Sequence, residues 1–326
     1  MRVQALAIAS AAAIGLAGGA EPAAAYTVYV SNEKGNSITV LDSATLEVKE
    51  TIPVGQRPRG IMLTKDDKYL LICASDEDTV QILDVTSREI VGDLPSGPDP
   101  ELLNLRPSGS PVYIANEDDN LLTVIDLAEK KVVAEVEVGV EPEGVAVSPD
   151  GKTVVVTSET TNMAHFIDAD SHEITDNVLV GSRPRFAQFT ADGTRLWVTS
   201  EVAGVVTVID TKTRKIIKSI GFAIPGVQPE HIQPVGVRVT RDGAKAFVAL
   251  GPANRVAVID AKTLEVEKYL LVGQRVWQLA FTPDEALLFT TNGNSNDVSV
   301  IDVPSLTVVK SIPVGTAPWG VAISSH

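Results

Sequence analysis

The sequence holds a single cysteine, Cys73, so no disulfide can form within the chain. Phe, Tyr and Trp supply only 5% of residues against 44% hydrophobic, so the apolar bulk is largely aliphatic. Basic residues are also short. There are 27 Lys and Arg against 42 Asp and Glu, and the formal charge of −15 disfavours nucleic acid and anionic lipid as partners. The four histidines, His165, His172, His231 and His326, are scattered without zinc-site spacing. No HExxH, haem CxxCH, glycine-rich phosphate loop or Ser-His-Asp arrangement is visible. These absences exclude the catalytic centres that announce themselves locally. The expectation is a binding or interaction protein rather than an enzyme.

What the chain does have is a period. The pattern VYIANEDDNLLTVID, Val112 to Asp126, is an apolar run, a polar turn, a second apolar run and a terminal Asp. Equivalent patterns end at Asp42, Asp84, Asp126, Asp168, Asp210, Asp260 and Asp302, at intervals of 42, 42, 42, 42, 50 and 42 residues. Each repeat carries four short alternating runs, first complete at Gly60–Leu63, Tyr69–Cys73, Val80–Leu83 and Glu89–Leu94. Turns such as PDGK at 149–152 and ADGT at 191–194 separate them, as expected between antiparallel strands. The terminal Asp is expected to accept backbone hydrogen bonds in an Asx turn. The polar fourth run reads as an outer edge protected by charge.

Tyr26 enters as a second strand, and WGVAIS at Trp319–Ser324 supplies the missing inner one. The ends therefore close a ring. The expectation is an all-β, seven-bladed propeller of four antiparallel strands per blade, one domain over residues 26–326. Residues 1–25 have Arg2, a small apolar stretch and Ala23-Ala24-Ala25, the layout of a secretory signal peptide. A retained anchor is the rival, but the apolar part falls short of the roughly 20 residues a span needs. No other segment resembles a span. The fifth-to-sixth connection, Gly221–Gly236, carries the extra residues and reads as either an added functional loop or tolerated loop growth.

VYVSNE ending at Glu33, VYIANE at 112–117, LWVTSE at 196–201, the VID endings and the VG-x-x-P-x-G segments resemble the YVTN family of β-propeller repeats. The uninterrupted seven-repeat chain is similar to the propeller proteins associated with catabolism dependent on pyrroloquinoline quinone (PQQ). That resemblance implies a periplasmic protein, with a quinoprotein dehydrogenase or an ABC-transporter component as partner. It carries no catalytic set. The chain departs from the pattern in repeats five and six, and Gly293 stands where the best copies have Glu.

Two columns of loop residues converge on one face of such a ring. The first contains Arg57 and Arg59, Asp99 and Glu101, Glu141 and Glu143, and Arg183 and Arg185. It continues through His231 and Gln233, Arg275 and Trp277, and Trp319. The second contains Glu33, Glu117, Glu159 and Glu201, with Asn32, Asn116 and Asn292 beside them. Two readings stand. Arginines and carboxylates bridge adjacent blades and satisfy one another, or they form a ligand mouth in which arginine forks hold carboxylates and the tryptophans stack. PQQ or another small anion suits the second reading, and so does a protein partner bound by a monomeric scaffold. Calcium is a further candidate because several carboxylates surround the axis, but no calcium-loop spacing is present and the arginines oppose it. A metal-dependent lactonase or isomerase is the enzymatic alternative.

Overall fold

The computed structural model of the protein describes residues 25–325. The expected signal segment falls outside them except for Ala25. Seven four-stranded antiparallel sheets are arranged as blades. Blade 1 pairs Pro318–Ile323 with Thr27–Asn32, then Ser37–Asp42 and Glu47–Pro53, so the C-terminal strand closes the ring as the sequence predicts. Blades 2 to 6 begin with the inner strands Pro58–Leu63, Pro100–Leu105, Pro142–Val147, Pro184–Phe189 and Val237–Val239, and blade 7 with Val276–Phe281. Among the described residues no helix is long and apolar enough to cross a membrane.

The core lies between neighbouring blades. Strand faces alternate, and buried aliphatic side chains from adjacent sheets interlock, as with Tyr113, Val124, Val154 and Ile167 between blades 3 and 4. Trp197 is fully buried between blades 5 and 6. The fourth strands carry the exposed hydrophobics Val48, Val91, Val133 and Ile217 and exposed charges such as Lys49, Glu135 and Glu267, consistent with an outer edge.

The repeated Asp forms the expected turn. Asp126 Oδ1 accepts the N–H groups of Ala128 at 2.9 Å and Glu129 at 2.8 Å, and Asp84 does the same for Thr86 and Ser87. Cys73 is buried, and burial pushes its thiol well up, so it packs as a small hydrophobe. His165 is likewise structural. It is buried, Nε2 accepts the Gly139 N–H at 3.0 Å, and Nδ1 lies 2.6 Å from Asn177 Oδ1.

The inner strands begin earlier than the apolar pattern suggests, at Pro58 rather than Gly60. Proline is tolerated at the first residue of a strand, where its missing N–H leaves no ladder bond unmade. The register then shifts between Pro58 and Ile61, and again between Pro100 and Leu103, Pro142 and Val145, and Pro184 and Phe186. Bulges of this kind re-aim a side chain. Here they fall at Arg59, Glu101, Glu143 and Arg185. Gly60 is required at the bulge because a Cβ there would sit 2.3 Å from the Glu101 carbonyl oxygen of the next blade.

Candidate functional site

The residue before each of these bulged segments has left-handed backbone: Arg57, Asp99, Glu141, Arg183, Arg275 and Ala317 all have φ between 49° and 59°. A second repeated device holds that conformation. The N–H of Arg57 donates to Asn36 Oδ1, that of Glu141 to Asn120 and that of Arg183 to Asn162, each at 3.1 Å. Asp78, Asn254 and Asn296 do the same for Asp99, Arg275 and Ala317. This Asn/Asp column escaped the motif reading, although its members recur at the same 42-residue spacing. It fixes the heads of six connectors around the axis.

Two ion-pair clusters result. In the first, Arg59 pairs with Glu101 and approaches Glu33 at 3.4 Å, while Arg57 reaches Glu101 at 2.9 Å, Asp99 at 3.1 Å and Asp76 at 3.1 Å. In the second, Arg185 pairs with Glu159 and reaches Glu143 at 2.9 Å and Glu201 at 3.7 Å. Arg183 meets Glu159 at 2.8 Å, and Arg275 meets Glu201 at 2.7 Å and Gln233 Oε1 at 2.6 Å. Glu101, Glu143 and Arg185 are at most 3% exposed, so these pairs form a floor and not a rim. Trp319 is fully buried with Arg59 stacked 5.0 Å above its ring, which removes it as an open stacking surface. Trp277 is partly exposed, lies 4.1 Å from the Arg275 guanidinium, and borders a hollow of about 420 Å³ with Pro252, Gln274 and Asn294. His231 stays outside the network, exposed on a short 3-10 turn in the inserted connection.

Among the described residues the mouth gathers nine carboxylates, from Glu33, Asp76, Asp99, Glu101, Glu117, Glu141, Glu143, Glu159 and Glu201, beside five guanidinium groups that pair with seven of them. The excess shows in their ionisation. Burial and then Glu101 push Glu117 up to about 8, and burial and then Glu101 push Asp99 up to about 6. Burial raises Glu143 well above the usual carboxylate range despite Arg185. Glu101 moves the other way: Arg59 and Arg185 outweigh its burial and hold it low. Among the described residues two sets bring carboxylate oxygens within 4.8 Å of one another, Asp99-Glu101-Glu117 and Glu117-Glu141-Glu159. Glu117 belongs to both. Neither Glu117 nor Glu141 has an arginine partner, and Glu141 accepts the Thr160 hydroxyl. An all-oxygen set at this spacing, with two members free of arginine, fits a hard divalent cation. A separate cavity of about 820 Å³ beside Tyr69, Leu71, Ile82 and Val91 holds none of these carboxylates.

Ring closure and the converging mouth define the class as a seven-bladed β-propeller built around a charged axial site. The choice-of-anchor I domain model matches residues 120–287, just over half the sequence, and the chain belongs to that family. The model "Lactonase, 7-bladed beta-propeller" matches residues 9–94. No curated protein matches. Among solved structures, the chain is similar to Kuenenia stuttgartiensis hydrazine synthase at 23% identity, covering 85% of this chain and 92% of that one with a TM-score of 0.78. A functionally unknown protein from Desulfotomaculum acetoxidans aligns at 18% identity, over 91% and 98% of the two chains, with a TM-score of 0.78. A protein from Lactobacillus plantarum aligns at 16%, over 92% and 100%, with the same score. At such identities these structures establish the fold alone. The lactonase match and the clustered carboxylates overturn the expectation of a non-enzymatic protein. No local motif marks this centre because its members come from two neighbouring blades and the connectors that enter them.

Proposed function

We propose that the protein is a metal-dependent, lactonase-like hydrolase centred on Glu117, Glu141 and Glu159. The observation that carries this reading is the surplus of buried carboxylate at the mouth, where Glu117 is driven to hold a proton that a cation could replace. The lactonase match over blades 1 and 2 supports it. Glu117 and Glu141 would hold the ion, with Glu159 fixed beside them by Arg183 and Arg185. A hard cation supplies polarisation of an ester carbonyl and a more acidic bound water. Hydrolysis adds water across the acyl C–O bond, the ring oxygen takes a proton, and the product is a hydroxycarboxylate. Arg183, whose side chain is 47% exposed, is placed to receive the carboxylate that develops.

The test combines cation titration calorimetry with pH-stat assays of γ- and δ-lactones, on wild type and on E117Q and E141Q. Expected are stoichiometric cation binding, cation-dependent turnover, and loss of both in the variants. A cation-saturated protein that opens none of the lactones above background would sink the assignment.

A second reading keeps the exported location and the PQQ-dependent alcohol catabolism implied by the YVTN resemblance. Arg57, Arg183, Arg275 and Trp277 at the solvent edge favour a planar multi-carboxylate ligand. Calorimetry with PQQ and wild type, repeated with the R57A/R183A double variant, separates this from hydrolysis. An absence of heat with wild-type protein would count against it.

A further inference from the structure

One inner-strand column is directed toward the next blade beneath the ion-pair floor. Its seven members are Met62, Asn104, Ala146, Gln188, Arg238, Ala280 and Ala322. The first five line a cavity of about 310 Å³ that also reaches Pro149, in a turn at the face opposite the mouth. Arg238 is the cationic member. Its guanidinium packs 4.7 Å from the Phe186 ring, and Nη1 donates to the carbonyl of Val237 at 2.9 Å. Among the described residues no carboxylate pairs with it. Gln188 turns its Oε1 to the Val239 N–H at 3.1 Å, and its NH₂ group takes no partner among the described residues.

A cation without a counter-charge in a low-dielectric cavity is unfavourable unless something neutralises it. Two donor groups point into the space, the rest of the guanidinium and the Gln188 amide. Asn104, whose Nδ2 donates to the Val145 carbonyl at 3.2 Å, is the other polar wall, and Ile61, Leu102, Val145 and Phe186 are apolar. We infer that this cavity binds a small carboxylate, its oxygens on Arg238 and Gln188 and its apolar body against Leu102 and Phe186. A volume near 300 Å³ is at the low end of small-molecule sites, so the ligand is compact. Burial pushes the Arg238 guanidinium down to about 10, which leaves it charged at neutral pH. The inference does not depend on cation binding or hydrolysis at the mouth.

Thermal unfolding with butyrate, benzoate or inorganic phosphate, at constant ionic strength against chloride, tests it on wild type, R238M and R238K. Butyrate and benzoate at saturating concentration are expected to raise the wild-type midpoint by about 2–4 °C, through linkage to the folded state. Phosphate, which has no apolar part, is expected to match chloride. R238M should lose the carboxylate response while remaining folded, and R238K should keep part of it. No response in wild type, an equal response in R238M and R238K, or a response to phosphate alone would each overturn the assignment.

Discussion

Arg185 and Arg238 come from the inner strands of neighbouring blades, yet their surroundings are opposite. Arg185 sits among Glu143, Glu159 and Glu201, which outweigh its burial and raise its pKa. Arg238 has only burial acting on it, and its pKa falls. The same side chain is a structural keystone in one place, where it is buried, and in the other a half-buried charge that no carboxylate pairs with among the described residues. Position in the fold does not separate them. What separates them is the neighbouring connectors, which carry acids around the mouth, whereas no carboxylate among the described residues lines the cavity beside Arg238.

Removing the paired arginine should have the largest effect. R185M strands buried carboxylates and is expected to destabilise by about 3–5 kcal/mol in urea unfolding. Next come the two fully buried glutamates. E101Q removes an ionised partner of Arg57 and Arg59 and should cost about 2 kcal/mol or more, while E143Q replaces a group that holds its proton and should stay within about 1 kcal/mol. Equal costs for the two would break the ionisation pattern. R238M should change stability in the opposite direction, raising it by about 1 kcal/mol in ligand-free protein, because the penalty of its burial is present throughout the range below pH 10.

A pH scan sharpens the contrast between the two levels of the axis. Glu117 is raised from 4.5 to about 8, so the folded state holds its proton more tightly than the unfolded chain does between those values. Stability from this group is therefore lost as pH rises through that window. Added divalent cation should restore it near pH 8, and E117Q should flatten this part of the profile. The smallest effect belongs to the connector caps: N120A removes one hydrogen bond to the Glu141 N–H and should cost about 1 kcal/mol by thermal unfolding.

The propeller was legible because its determinants are local and repeated. The Asp ending each third strand, the Asp-Gly hairpins and the split first blade all act within a few residues of themselves or at a fixed period. The mouth was legible as a set of converging positions but not as a set of partners. Nothing in Arg57-Pro58-Arg59 says that both arginines lean onto Glu101, or that Trp319 is sealed under one of them, since these pairings cross from blade to blade. Glu117 and Glu141 looked like members of two separate columns, and only the ring curvature brings them together. Arg238 was invisible for another reason. In GVRVT it occupies an ordinary alternating position, and its isolation is a property of six other strands.

The left-handed residue heading each connector has a consequence for how such a ring can change. Its backbone is set by an Asn or Asp from the preceding hairpin, not by its own side chain. Arg57, Asp99, Glu141 and Ala317 adopt the same conformation although their chemistry has nothing in common. Six connectors thus offer a socket in which the presented group can be exchanged without refolding its support. The ring can be re-lettered one position at a time, by descent or by design.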